Sequence, residues 1–189
     1  MRLFIAVCLP DAWHDALAAQ QAELVVRLGS AARALRWVRP EGSHLTLVFL
    51  GETARSDLPG IEAAMRAAAA SSRPFVLRLG RPGTFGGQRP RVLHTRVESE
   101  ADALAAMQDR LAAALGHVQE RPFSPHITLA RVPRPDRAAG EAIGRALAQP
   151  LAGRAPPLTV EQISLMQSEL RPDGAVYTEL LAVRLERAP

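Results

Sequence analysis

The apolar positions of the chain follow two rhythms, which alternate along its length. Short runs such as Arg2–Leu9, His44–Leu50, Arg91–Glu98 and His126–Arg131 are dense in Leu, Ile and Val and have turn residues close by, as strands do. Between them, apolar residues recur at helical spacing. Trp13, Leu17, Leu24 and Leu28 form one stripe opened by Asp11, and Leu104, Met107, Leu111 and Leu115 form another that ends at Gly116. Ser99 with Asp102 three positions on resembles a capping box at the head of the second stripe. Leu58, Ile61 and Met65 mark a third helix, and Ile143 and Leu147 a weaker fourth.

The spacing therefore predicts strand 2–9, helix 11–28, a short strand near 36–38, strand 44–50, helix 56–71 and strand 75–80. After the Gly- and Pro-rich run RPGTFGGQRP, read as a loop, come strand 91–98, helix 99–115, strand 126–131, helix 136–148, strand 158–168 and a closing strand 175–186. Residues 1–80 and 91–189 thus share one order, strand–helix–strand–helix–strand. This is an approximate internal repeat with no low-complexity linker. We expect a single bilobal domain over 1–189, of α+β class, with two pseudo-symmetric lobes around a central cleft. Each lobe would be an antiparallel sheet flanked by helices.

Composition narrows the class further. Hydrophobic residues are 48% and charged residues 22% of 189, as in ordinary globular domains. The longest apolar runs are far shorter than a bilayer requires, and the N-terminal run reads as a first strand, so no membrane association is expected. The single Cys8 forms no internal disulfide and suits a reducing, cytoplasmic setting; within its apolar strand it is expected to be a small buried side chain. Net charge is +4, and all 23 basic residues are Arg. That excess favours anionic partners. No leftover apolar helix stripe calls for a second copy, so a monomer without a protein partner is expected.

The candidate chemistry lies in a tetrapeptide that occurs twice, His44-Leu45-Thr46-Leu47 and His126-Ile127-Thr128-Leu129. Residue frequencies allow about 0.02 chance occurrences per chain, so two at equivalent places in a repeat argue for function. In a strand, i and i+2 share a face, so each His projects with its Thr. Strands brought together across a cleft would gather two imidazoles and two hydroxyls. One imidazole could remove a proton from a nucleophile while the other protonates a leaving oxygen, and the hydroxyls could bond phosphate oxygens. A lone His in an apolar strand is ordinarily structural, so the duplication carries the reading. No metal is expected: two His are too few for zinc, and His14, His94, His117 and Cys8 lack ligand spacing. Nothing in this acid–base scheme needs an organic cofactor, so none is expected, and neither a phosphate-binding Gly loop nor a nucleophile elbow is present.

The runs RLFIAV, WVRPEGSHLTLVFLG and FSPHITLARV, with weaker matches in ISLMQSEL and GAVYTEL, resemble the two-histidine phosphoesterases, in particular the RNA 2′,3′-cyclic phosphodiesterases once called 2′-5′ RNA ligases. The resemblance implies metal-independent hydrolysis of RNA 2′,3′-cyclic ends or small cyclic nucleotides to 2′-phosphomonoesters. It implies His44 as the acid, His126 as the base, and Thr46 and Thr128 as phosphate-holding groups. It further implies Arg131 as a cationic contact, although strand parity sets Arg131, like Phe49, opposite the His–Thr face unless a strand end or twist intervenes. Tyr177 would stack on a base or pack. Relatives often carry Trp where this chain has His94. Two alternatives stay open: joining or cleaving 2′-5′ linkages, or a nucleotide- or RNA-binding module with little turnover.

Overall fold

A computed structural model describes residues 1–117, 122–171 and 174–186. Its strands are β1 (Arg2–Cys8), β2 (Arg36–Trp37), β3 (His44–Glu52), β4 (Phe75–Phe85), β5 (Val92–Ser99), β6 (His126–Arg131), β7 (Leu158–Val160), β8 (Gln162–Arg171) and β9 (Gly174–Arg184). Its helices are α1 (Asp11–Leu28), α2 (Leu58–Ala70), α3 (Ala103–Ala114) and α4 (Arg137–Ala146). They form two antiparallel sheets, ordered β3-β1-β8-β9 and β2-β6-β5-β4-β7. The α+β architecture is the expected one.

Sheet membership does not follow the two sequence halves. β4, the last strand of 1–80, pairs with β5 and β7. β8 and β9, from 91–189, pair with β1 and with each other. The first half sends β2 and β4 into the second half's sheet and receives β8 and β9 in its own, and the motif strands β3 and β6 lie beside β1 and β5. The continuous strand expected over 158–168 is divided at Glu161, because β7 belongs to one sheet and β8 to the other.

The apolar stripes explain which face each element buries. Leu3, Ile5, Leu45, Leu93, Ile127 and Leu129 are each 0% exposed and share one core cluster with Trp13 and Leu17 of α1 and Leu104, Met107 and Leu111 of α3. Trp13 Nε1 donates to Pro156 O at 2.9 Å, and Gln21 Nε2 donates to Val38 O and Leu129 O, so the indole and this buried amide of α1 are satisfied by backbone carbonyls. The opposite face of β1 carries a smaller cluster of Phe4, Ala6 and Met166 with Tyr177 against it.

Two local expectations shift. α3 starts at Ala103, preceded by a 3₁₀ turn in which Ala101 and Asp102 have positive φ; Ser99 Oγ accepts from Leu104 N rather than closing a capping box. The run read as a loop is partly strand: β4 continues through an irregularity at Leu79–Pro82 to Phe85, and only then turns, at Gly86 (φ 111°) and Gly87 (φ 58°). Both glycines hold backbone conformations that a β-carbon would strain.

Candidate active site

His44 and His126 each open a motif strand, and each is held in the same way. His44 Nδ1 lies 3.0 Å from Gly42 O, and His126 Nδ1 lies 2.8 Å from Ser124 O. A carbonyl only accepts, so Nδ1 carries the hydrogen in both rings and Nε2 is the nitrogen left outside that bond. The carbonyl two residues upstream thus sets the tautomer twice, by one local geometry.

Aromatic rings fix the orientation. His44 stacks on Phe4 at 4.5 Å and meets the edge of Tyr177 at 4.8 Å. His126 meets Phe85 at 4.8 Å and His94 at 5.3 Å, and Phe85 and His94 stack on each other at 4.1 Å. Burial lowers the pKa of both motif histidines, their carbonyl partners oppose this, and neighbouring cations lower it further: His126 acts on His44, and Arg131 acts on His126. The two lobes therefore bring their histidines within electrostatic reach of one another.

The faces of the two strands follow from register. Cys8 pairs with His44 and Ala6 with Thr46, so these four share a face. Ile5 then pairs with Val48, one residue beyond strict alternation, and Phe4 pairs with Phe49. The bulge lies within Leu47–Val48, both buried. On β6, Arg96 pairs with His126 and His94 with Thr128, after which Leu93 pairs with Ala130 and Val92 with Arg131. That bulge lies within Leu129–Ala130, again both buried. Equivalent bulges thus reverse parity at equivalent places and return Phe49 and Arg131 to the His–Thr face. The parity argument against these two residues fails because alternation counts residues, whereas the bulge adds one. Phe49 is 48% exposed, with the Arg2 guanidinium 5.1 Å above its ring.

Other expectations meet mixed outcomes. Thr46 and Thr128 stand on the cleft face beside their histidines. Tyr177 packs on His44 and Phe4, and its ring edge lies 3.5 Å from where a β-carbon on Gly42 would sit. Cys8 is exposed rather than buried, because its strand position is on the cleft face opposite His44; partial desolvation, chiefly, and the nearby Glu179 carboxylate raise its pKa, while Ser164 opposes them. His94 is 1% exposed, and its Nδ1 is buried without a partner. Desolvation, with His126 and Arg96 adding to it, pushes its pKa down to about 4. Phe4, Phe85 and Phe49 escape sequence reasoning, because an aromatic in an apolar strand or a Gly-rich turn looks like any packing residue. Among the described residues, no group of three or more His, Cys, Asp or Glu is assembled as metal ligands.

Two antiparallel sheets that each present a His-x-Thr pair from a bulged strand, with matched imidazole tautomers, define a two-histidine phosphoesterase. The 2′-5′ RNA ligase superfamily model matches residues 10–171, and the chain belongs to that family. It is 35% identical over 195 residues to an RNA 2′,3′-cyclic phosphodiesterase of Thermus thermophilus, covering 95% of this chain and 88% of that one. To the protein of that name from Methanothermobacter thermautotrophicus it is 32% identical, covering 98% and 99%. Among solved structures, a Thermus thermophilus protein superposes with TM-score 0.74 at 33% identity, and apo E. coli LigT with TM-score 0.76 at 25% identity, each over 98% of both chains. E. coli LigT has also been crystallised in complex with 3′-AMP.

Proposed function

We propose that this protein hydrolyses RNA 2′,3′-cyclic phosphodiester ends to 2′-phosphomonoesters, acting as one bilobal unit over residues 1–189. The observation that carries the reading is the pair of imidazoles with Nδ1 occupied by a backbone carbonyl and Nε2 left to work. His126 Nε2 accepts a proton from water as the water oxygen bonds to phosphorus. The bond from phosphorus to the 3′ oxygen breaks, and that oxygen takes the proton of His44 Nε2–H. The Thr46 and Thr128 hydroxyls donate to the nonbridging oxygens, whose charge builds in the transition state. Arg131 adds positive potential on the His126 wall, and Tyr177 walls the His44 side and holds that ring. No step calls for a metal or an organic cofactor.

With a 5′-hydroxyl in place of water, the same two proton transfers would bond that oxygen to phosphorus, break the P–O3′ bond and leave a 2′-5′ linkage with a free 3′-hydroxyl, so action on 2′-5′ linkages follows as a minor reaction in water. Among the described residues no helix is long and apolar enough to cross a membrane. The working setting is the cytoplasm, and the working form a monomer.

The test is product analysis with an oligonucleotide bearing a defined 2′,3′-cyclic end, in excess chelator. A 2′-phosphate product supports the reading. A 3′-phosphate product, dependence on added divalent metal, or turnover that survives His44→Ala with His126→Ala overturns it. Tight binding of 2′-phosphorylated ends with negligible turnover would favour a binding module instead.

A further inference from the structure

The His126 wall carries more positive charge than the chemistry at one phosphate needs. Arg36 of β2 pairs directly with Arg131 of β6, which pairs with Val92 of β5, so all three share the face of His94, Arg96 and His126. Arg36 and Arg131 are both exposed, and neither has an ion-pair partner among the described residues. Like charges directly opposite in an antiparallel pair are destabilising. The acid that this face does present, Glu98, lies beyond Arg96, at the far end of β5 from Val92. Two uncompensated guanidiniums side by side on a substrate cleft form an anion site. That site is not at the catalytic histidine. Along β5, the position opposite Arg131 is four residues from the position opposite His126, about 13 Å at strand spacing. The Arg131 side chain can reach back towards His126, whose pKa it lowers, but Arg36 lies one strand further out.

We propose that Arg36 and Arg131 together clamp the internucleotide phosphate next to the cyclic one, so that the protein selects oligonucleotide ends over cyclic mononucleotides. This rests on the phosphodiesterase reading above. Arg36 is the new element: an edge-strand residue outside either motif, set opposite Arg131 by the pairing of β2 with β6.

The experiment compares kcat/KM for a 2′,3′-cyclic mononucleotide, a dinucleotide with a 2′,3′-cyclic end, and the same dinucleotide with a neutral methylphosphonate linkage. The wild type should favour the charged dinucleotide, and Arg36→Ala should lower the charged-to-neutral ratio about tenfold, as expected for loss of a partly exposed charge-assisted contact. Arg36→Lys should restore part of the ratio, and Arg36→Gln should not. Equal falls on all three substrates, or a wild type indifferent to the methylphosphonate, would overturn the clamp. If none of the substrates is hydrolysed, the phosphodiesterase reading fails. Calorimetric titration of the two 2′-phosphorylated dinucleotide products into wild type and Arg36→Ala then still decides the clamp, by whether the charged one binds more tightly and loses that advantage in the variant.

Discussion

His94→Phe should make folding stability markedly less sensitive to acid. His94 is 1% exposed, stacks on Phe85, and leaves its Nδ1 buried without a partner. Its pKa of about 4 in the folded chain compares with 6.5 when unfolded. Below pH 6.5 the unfolded chain therefore binds a proton at this position that the folded chain refuses. The stabilisation is fully present above pH 6.5 and is lost as pH falls towards 4. Integrating that difference gives about 2 kcal/mol between pH 7 and pH 5, and about 3 kcal/mol by pH 4. Phe keeps the ring stack and removes the titrating group. It also removes the orphaned Nδ1, whose burial costs about 1–3 kcal/mol. The assay is urea unfolding of both proteins at pH 7, 6 and 5. Carboxylates titrate alike in the two chains and cancel, so the difference between their stabilities should change by about 2 kcal/mol across this range. Curves that stay parallel within about 0.5 kcal/mol would refute the reasoning, because His94 would then be titrating normally in the folded protein.

Three further outcomes follow from the site and core. His44→Ala and His126→Ala should each lower kcat by about 10²–10⁴, and the double variant should fall far short of the product of the two, since both serve one step. The pH profile of kcat/KM should be bell-shaped with its optimum below 6.5, because burial and the neighbouring cations lower both histidines; Arg131→Ala should move the His126 limb upward in the same measurement. Leu45→Ala removes a side chain 0% exposed behind the first motif and should cost about 2–5 kcal/mol in denaturant unfolding.

Element identity was legible because burial imposes its period on the chain. The stripe Trp13, Leu17, Leu24, Leu28 is α1, and Leu104, Met107, Leu111 is α3, since a helix between sheet and solvent needs one apolar face. Boundaries were less legible. The start of α3 moved to Ala103 because Ala101 and Asp102 take positive φ, and β4 ran on through Pro82 because an irregularity absorbs the lost donor there.

The sequence by itself determined that two His-x-Thr pairs exist, that each lies on one strand face, and that they occupy equivalent places in a repeat, because these are local properties of residue order. Only the tertiary structure decided which sheet each strand joins, because strand pairing joins residues far apart in the chain and nothing in their order forbids an exchange. It also decided that Phe49 and Arg131 return to the working face, because a single bulged residue reverses alternation. And it placed Arg36 beside Arg131 and His94 against His126, contacts made between strands and therefore invisible along any one of them.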